Sequence, residues 1–89
     1  MFIVYILKSE TTVAYYIGQT NNIELRLNRH NTNSVTATKN RGPWNIVYTE
    51  EYPTRSEAMK REKYLKSLKS RIAIERLIAQ SAESRRGRD

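Results

Sequence analysis

The chain has 89 residues, 38% of them hydrophobic and 28% charged, with a formal net charge of +7. This length and composition predict one small globular domain. The sequence has no cysteine and one histidine, which excludes disulfide scaffolds, thiolate zinc sites, cysteine nucleophiles and sites that need two histidines. No apolar run approaches the roughly 18 residues of a membrane span. The N-terminus lacks a signal-peptide pattern, and a cytoplasmic location is expected.

The first two predicted elements form a β-hairpin. Phe2–Lys8 and Val13–Gln19 are rich in β-branched and aromatic residues, and the polar segment Ser9–Thr12 between them is typical of a turn. With a four-residue loop, Tyr5 lies directly opposite Tyr16, so that two phenols share one face. An ordinary aromatic pair that stabilises the hairpin is the alternative interpretation.

A glycine interrupts the second predicted strand. Glycine weakens a strand, so Gly18 indicates that a ligand or another part of the backbone comes close at this position. We therefore include Gly18 and its neighbour Gln19 among the candidate substrate-binding residues.

A short helix is predicted over residues 23–31, preceded by asparagine N-caps. Arg26 and His30 are four residues apart, beside the apolar stripe, so their side chains are expected at the rim of the core. An arginine there can bind a phosphate with its fork of N–H groups, and a histidine can transfer a proton near neutral pH. An ordinary helix surface is the alternative interpretation.

The rest of the chain supplies one more strand and two helices. We predict a polar loop (Thr32–Pro43, with the cations Lys39 and Arg41), a strand (Trp44–Tyr52), a helix capped by Thr54, and a last helix (Arg71–Gln80). The predicted fold is α+β: a three-stranded antiparallel sheet flanked by helices, in the order β-β-α-β-α-α. Residues 1–80 form the domain, and residues 81–89 are expected to be a disordered basic tail.

Most of the positive charge lies in the second half of the chain. Residues 55–89 hold eleven basic and five acidic side chains, a net charge of +6. This asymmetry favours a polyanionic partner such as nucleic acid. A solvated helix surface that maintains solubility is the alternative.

One carboxylate falls on the apolar side of the first basic helix. At 100° per residue, Glu62 lies between Ala58 and Met59 on the helical wheel. A carboxylate in that position is costly unless a positive charge meets it. It is therefore either one half of a structural salt bridge, for instance to Arg26, or a ligand for Mg²⁺ completed by substrate phosphate and water.

Phenol, imidazole, guanidinium and carboxylate groups beside a basic helix suit metal-assisted hydrolysis of a phosphodiester. With Ile3-Val4-Tyr5, Tyr16-Ile17-Gly18, Arg26 ten residues later, His30 and Glu62, residues 2–80 resemble the GIY-YIG nuclease superfamily. More narrowly, they resemble its small stand-alone bacterial members, the YhbQ-like group. The first motif lacks its leading glycine, as is common in that group.

The resemblance implies a role for each of the five positions. Tyr5 and Tyr16 would position or deprotonate the attacking water, and Arg26 would stabilise the charge on the phosphoryl group. His30 would assist proton transfer or hold the scissile phosphate. Glu62 would hold one Mg²⁺ or Mn²⁺ ion, weakly when no substrate is bound. The implied fold agrees with the order of predicted elements.

Two positions depart from the family pattern. Gln19 replaces a basic residue that often follows the second motif, and Ile74 replaces an asparagine of the last helix. One phosphate contact and one organising amide are therefore missing. The short chain is also expected to lack a separate recognition domain, which favours structure-directed or low-specificity action.

The leading hypothesis is a Mg²⁺-dependent endonuclease that acts on DNA more than RNA, in repair or recombination, without a membrane partner. The alternatives are a catalytically weak or inactive nucleic-acid-binding module and a protein-interaction adaptor. The sequence is compatible with a monomer. The predicted substrate-binding residues are Gly18, Gln19, Lys39, Arg41, Lys63, Lys66, Lys69 and Arg71.

Overall fold

The computed structural model describes residues 1–86 of the chain, with side chains over residues 1–81. It contains three strands, β1 (Phe2–Ser9), β2 (Tyr15–Thr20) and β3 (Trp44–Tyr52), and three α-helices, α1 (Ile23–Asn31), α2 (Arg55–Ser67) and α3 (Arg71–Arg86). A short 3₁₀ turn covers Thr36–Thr38. The strands form one antiparallel sheet in the order β2-β1-β3. The predicted α+β fold is confirmed. None of the helices described combines the length and apolar character that crossing a membrane requires.

The sheet buries both of its faces because alternate side chains of β1 point in opposite directions. On one face, Tyr5 and Leu7 pack with Trp44 and with the apolar side of α1. On the other face, Val4 packs with Ala58 of α2 and with partly buried residues of α2 and α3. The central strand therefore has a run of four buried residues over positions 4–7, and α1 lies on the opposite face of the sheet from α2 and α3.

The register of the hairpin differs from the prediction. Tyr5 pairs with Gly18, and Tyr16 pairs with Leu7, so the predicted pairing of Tyr5 with Tyr16 is wrong. The register is displaced by two residues, which keeps both tyrosines on one face of the sheet. They are diagonal neighbours, with ring centroids 6.4 Å apart. The two phenols converge as expected, but through a different pairing.

The cause of the new register is Ser9, which belongs to the strand and not to the turn. Its buried hydroxyl accepts hydrogen bonds from the backbone N–H groups of Thr11 and Thr12, at 3.1 and 2.9 Å. Its own N–H donates to the carbonyl of Ala14 at 3.0 Å. These bonds stabilise a longer loop, and β2 begins at Tyr15 instead of residue 13.

The helices begin where their capping residues predict. Asn22 and Thr54 each accept a hydrogen bond from a backbone N–H in the first turn of α1 and α2. Between α2 and α3, Lys69 has a positive φ of 46°. Ser70 then accepts a hydrogen bond from the N–H of Ala73 and caps α3. The chain therefore breaks between α2 and α3, and α3 begins at Arg71 as predicted.

The last helix is longer than predicted. It continues to Arg86, whereas the prediction ended it at Gln80 and assigned residues 81–89 to a disordered tail. Residues 81–86 contain no glycine or proline, and their alanine, glutamate and arginines favour a helix. Disorder over residues 81–86 is therefore wrong, and residues 87–89 of the predicted tail lie outside the described part of the chain.

A carboxylate on β3 joins the sheet to α2. Glu50 accepts two hydrogen bonds from Arg61, at 2.8 and 3.0 Å, and further bonds from the hydroxyls of Tyr52, at 2.6 Å, and of Tyr48. Burial alone would raise the pKa of Glu50, but these hydrogen bonds outweigh it and lower the pKa. Burial and the bond to Glu50 raise the pKa of Tyr48 to about 12. We therefore expect the contact between β3 and α2 to be more stable when Glu50 is ionised.

We expect the Glu50→Gln variant to lose about 1–3 kcal/mol of stability at pH 7, because it leaves the Arg61 guanidinium without its ionised partner. The pKa of Glu50 is lower in the folded than in the unfolded protein, so its ionisation stabilises the fold. This contribution is complete above the unfolded-state pKa of about 4.3 and is lost as the pH falls through the folded-state pKa. Urea unfolding between neutral and acid pH measures both effects. Wild-type stability should fall more steeply in acid than that of Glu50→Gln. The matched control is Glu51→Gln, at the exposed next position; equal losses in the two variants would contradict the prediction.

Candidate active site

Side chains from four elements meet at the β2 edge of the sheet. Tyr5 lies on β1, Tyr16 on β2, Arg26 and His30 on α1, and Glu62 on α2. Hydrogen bonds and ring contacts join the first four, and the charge of Glu62 raises the pKa of both Tyr5 and Arg26. The structure therefore brings four of the five residues predicted as catalytic into contact, and the fifth, Glu62, acts on Tyr5 and Arg26 through its charge. We call these five residues the catalytic cluster.

Gly18 makes room for the phenol of Tyr5. Tyr5 is fully buried, and a Cβ atom added at Gly18 would lie only 2.5 Å from its Cζ atom. The sequence indicated that a ligand or the backbone approaches this glycine; the group that approaches is the Tyr5 side chain. Gly18 is itself buried, so its role in the structure is to let the ring lie flat over β2.

The Gly18→Ala substitution is expected to destabilise the fold by about 1–3 kcal/mol, because its methyl group overlaps the Tyr5 ring. The cost should shrink when the ring is absent. A double-mutant cycle with Tyr5→Val, followed by urea unfolding, measures that coupling. An identical cost with and without the ring would show that the clash is not its origin.

Hydrogen bonds fix the tautomer of His30. Its Nδ1 atom lies 2.8 Å from the hydroxyl of Thr38, which in turn donates to the carbonyl of Val35 at 3.4 Å. In the tautomer that pairs every one of these groups, Thr38 donates to Val35 and accepts from His30 Nδ1–H. Nε2 of His30 then carries a lone pair, and it lies 3.0 Å from the hydroxyl of Tyr5. The phenol donates to the imidazole, which is placed to act as its base.

The charges around the phenol keep Tyr5 protonated and His30 neutral. Burial lowers the pKa of the fully buried His30, and the positive charge of Arg26 lowers it further. Burial also raises the pKa of Tyr5, although the hydrogen bond from Arg26 opposes this. Arg26 Nε donates to the phenol oxygen at 3.4 Å. The Tyr5 oxygen thus accepts from a guanidinium and donates to an imidazole.

Tyr16 covers the other side of the imidazole. Its ring centroid lies 4.7 Å from that of His30, with the planes inclined at 58°. Tyr16 is half-buried, whereas Tyr5 is fully buried. The solvent-accessible phenol of the cluster is therefore Tyr16, and the inner one is Tyr5.

Glu62 lies at the edge of the cluster. Its side chain is 22% exposed, and a carboxylate oxygen lies 3.4 Å from Lys66 Nζ, one turn later on α2. The predicted alternative of a salt bridge from Glu62 to Arg26 is not formed within 4 Å. An exposed ion pair of this spacing contributes little to stability, about 0.3–0.5 kcal/mol. The pair with Lys66 leaves part of the Glu62 carboxylate exposed to solvent.

The donor set fits one weakly held divalent ion. Within the described residues, no three histidine, cysteine, aspartate or glutamate side chains cluster as a metal site. Glu62 would be the single protein carboxylate, and Mg²⁺ in such sites completes its shell with substrate phosphate oxygens and water. The residues present therefore fit a metal that binds together with the substrate.

Apart from Gly18, seven residues were predicted to bind the substrate, and the structure places five of them as follows. Gln19 lines a pocket beside the cluster, and Lys66 is paired with Glu62. Lys63 lies on the outer side of α2. Lys39 and Arg41 follow the 3₁₀ turn that carries Thr38, at exposed positions of a loop held to the hairpin through hydrogen bonds to the Arg41 carbonyl.

The remaining two lie away from the cluster. Arg71 donates a hydrogen bond to the carbonyl of Val13 and stacks over Tyr15, which is on the opposite face of β2 from Tyr16. Lys69 occupies the turn between α2 and α3. Arg71 joins the start of α3 to the hairpin, and the structure brings neither cation to the catalytic cluster.

Three residues of the site were not predicted. Thr38, which fixes the tautomer of His30, lies in a loop whose sequence has no periodic pattern. Arg29 and Arg55 line the pocket beside Arg26. Arg29 is three residues after Arg26, and this spacing places both on one side of a helix. The spacing could therefore have predicted Arg29 as a residue of the site. Arg55 comes from α2, where no such spacing indicated it.

The comparisons with known proteins agree with this geometry. A family model described as the GIY-YIG catalytic domain matches residues 1–76. A UPF0213 protein of Clostridium perfringens is 42% identical over 66 residues, which cover 73% of this chain and 70% of that protein. A UPF0213 protein of Natronomonas pharaonis is 42% identical over 65 residues, covering 72% and 75%. The solution NMR structure of a UPF0213 protein from Bacillus halodurans is 33% identical, has a TM-score of 0.57, and covers 90% of this chain and 85% of that one.

Proposed function

This chain belongs to the GIY-YIG nuclease family, and from that membership we propose that it is a Mg²⁺-dependent endonuclease acting on DNA with structure-directed or low sequence specificity. Membership of the family implies a nuclease-type activity and a nucleic-acid substrate. The choice of DNA, the metal, a cytoplasmic location and a role in repair or recombination are parts of the proposal.

The observation that carries the proposal is the hydrogen-bonded series from Arg26 through Tyr5 to His30 and Thr38. In the proposed reaction, a water molecule attacks the phosphorus and gives a proton to the Tyr5 oxygen. The phenolic proton of Tyr5 passes to His30 Nε2, so the tyrosine stays neutral overall. Because burial lowers the pKa of His30, the imidazolium is short-lived: after the P–O bond breaks it gives its proton to solvent, and the departing oxygen takes a proton from water.

Arg26 and Glu62 serve the phosphoryl group. The guanidinium of Arg26 keeps its charge, since its hydrogen bond with Tyr5 raises its pKa, and it stabilises negative charge as the phosphodiester becomes five-coordinate. Glu62 would hold the divalent ion, which when bound supplies Lewis-acid stabilisation of the same charge. Tyr16 would position the substrate at the accessible side of the cluster.

Low sequence specificity is supported by the character of the exposed cations. Lys60 and Lys63 of α2 are exposed lysines without a carboxylate partner within 4 Å among the described residues. Cations of this kind contact phosphates, which fix the position of a nucleic acid but carry no base sequence. Arg61 is not one of them, because Glu50 holds it.

A cleavage panel tests the proposal. Purified protein is incubated with labelled single-stranded, duplex, flap and four-way-junction DNA, and with the matching RNA, in Mg²⁺, in Mn²⁺ and in chelator. We expect metal-dependent cutting of DNA and none in chelator. Cutting of RNA alone would contradict the choice of DNA.

Binding without cutting would instead favour the alternative of an inactive nucleic-acid-binding module. Its affinity would fall with a log–log salt slope of roughly 0.7–0.9 per phosphate contact. Gln19 and Ile74 would then be examined first, since both depart from the family pattern. Ile74 is buried in the core and contributes packing, not a polar group. Little affinity for nucleic acid at physiological salt would favour the adaptor.

A further inference from the structure

We propose that a pocket beside the catalytic cluster binds a second phosphate group of the nucleic-acid strand, next to the one that is cut, and that Arg29 and Arg55 hold it. The proposal rests on the proposed function and adds a subsite to it. We call this cavity the arginine pocket; it has a volume of about 310 Å³, and its lining residues include Gln19, Arg26, Arg29 and Arg55.

The pocket is continuous with the catalytic cluster through Arg26. The Nε atom of Arg26 donates to the phenol of Tyr5, while the same side chain lines the pocket. A guanidinium has five N–H donors, so four remain for other partners. A strand whose scissile phosphate contacts Arg26 therefore places a neighbouring phosphate within reach of the pocket.

The arginines of the pocket form no ion pair with a carboxylate among the described residues. Within the described residues, the ion pairs within 4 Å join Arg61 to Glu50 and Lys66 to Glu62, and neither includes a pocket arginine. Arg26 and Arg29 are also three residues apart on α1, a spacing at which like charges repel. A cluster of this kind is stabilised by an anion that comes from outside the chain.

Arg55 is already oriented to receive such an anion. Its guanidinium lies 5.0 Å from the ring centroid of Phe2, in a cation–π contact. Stacking on an aromatic face fixes the plane of a guanidinium and leaves the N–H groups at its edge available. That edge matches the oxygen atoms of a phosphate.

Gln19 contributes to the lining an unpaired acceptor, which needs an N–H donor and is not itself a contact for the phosphate. Its Oε1 atom is buried and has no hydrogen-bond partner among the described residues. Buried polar atoms in folded proteins are nearly always paired, and an unpaired one is unfavourable. The arginines of the pocket hold unused donors nearby, so a ligand that rearranges the lining can satisfy this acceptor.

The test measures binding in chelator, where the proposed nuclease does not cut. Fluorescein-labelled short DNA molecules each carry one neutral methylphosphonate in place of a phosphate, moved stepwise along the strand. For the wild-type chain, we expect the modification at one position to weaken binding about tenfold, apart from the effect at the scissile phosphate. Both Arg29→Gln and Arg55→Gln should weaken binding of unmodified DNA to a similar extent and lower the salt slope by about one contact.

The coupling between variant and modification decides the proposal. In Arg29→Gln and Arg55→Gln, the methylphosphonate at the sensitive position should cause a smaller further loss than in the wild type, because one of the two contacts is already absent. Arg76→Gln on α3 removes the same charge and should leave the sensitive position unchanged. Arg55→Lys, which keeps charge but loses the fork, should restore binding only in part. Thermal unfolding verifies that each variant is folded.

The outcomes separate this inference from the proposed function. If the protein cuts DNA but Arg29→Gln and Arg55→Gln behave like Arg76→Gln, the subsite is refuted and the nuclease stands. If the protein never cuts but the coupling is found, the subsite is supported and the protein is a nucleic-acid-binding module instead of a nuclease. Equal sensitivity at all phosphate positions in the wild-type chain would also refute the subsite.

Discussion

Replacing Glu62 by glutamine is expected to abolish metal-dependent cutting, with a fall in the cleavage rate of at least about a hundredfold. Glutamine has nearly the same shape but no charge, and Glu62 is the carboxylate whose charge acts on both Tyr5 and Arg26. Initial rates on the DNA form that the wild-type chain cuts best give the measurement.

The folded state should hardly change in Glu62→Gln. The carboxylate loses its ion pair with Lys66, which contributes about 0.3–0.5 kcal/mol, so the urea midpoint should stay close to that of the wild type. Binding of DNA in chelator should persist. Glu75→Gln, at an exposed position of α3, is the matched control and should cut at the wild-type rate. Equal cutting by the two variants would show that the metal site is elsewhere or that a contaminant cuts.

Replacing Tyr5 by phenylalanine is expected to reduce the cleavage rate by about 10²–10⁴-fold, the usual effect of removing a group that transfers a proton. The hydroxyl is the one atom that connects Arg26 to His30. Its loss interrupts the path from the water to the imidazole. The Michaelis constant should change far less than the turnover number, because the inner phenol is buried beneath the accessible surface of the site.

The same substitution also leaves the His30 Nε2 acceptor without a partner, which costs about 1–3 kcal/mol of stability. Rates must therefore be compared under conditions where unfolding measurements show both proteins to be folded. Tyr15→Phe is the control: it removes a phenol from the opposite face of β2 and should cut normally. A Tyr5→Phe variant with the wild-type rate would assign the transfer of the proton to Tyr16.

The sequence predicted the strands of the hairpin but not their register. The β-branched and aromatic residues predicted both strands. Because the register is displaced by an even number of residues, Tyr5 and Tyr16 still lie on one face. The register itself depended on the hydroxyl of Ser9, which binds two backbone N–H groups of the loop. A serine before a polar segment is equally compatible with a turn, so the sequence could not distinguish a four-residue loop from a longer one.

The five residues of the catalytic cluster were predicted together for different reasons. Arg26 and His30 followed from helical spacing, and Glu62 from its position on an apolar arc. Resemblance to a family then connected them to two tyrosines. By contrast, the sequence did not distinguish free from paired cations on the two basic helices. In the structure, Arg61 pairs with Glu50, and Arg71 donates to the hairpin. Charge alone does not show which cations are already paired.

The sequence by itself determined the order of the elements, the capped helix starts and the α+β class, and it supplied the candidate side chains for the proposed chemistry. These features depend on neighbours a few residues apart, whose periodicity and capping are visible in the chain. The tertiary structure alone decided the tautomer of His30, the pairing of Glu50 and the convergence of Arg29 with Arg55. Those contacts join residues from separate elements, and their partners are chosen by how the elements pack around the sheet.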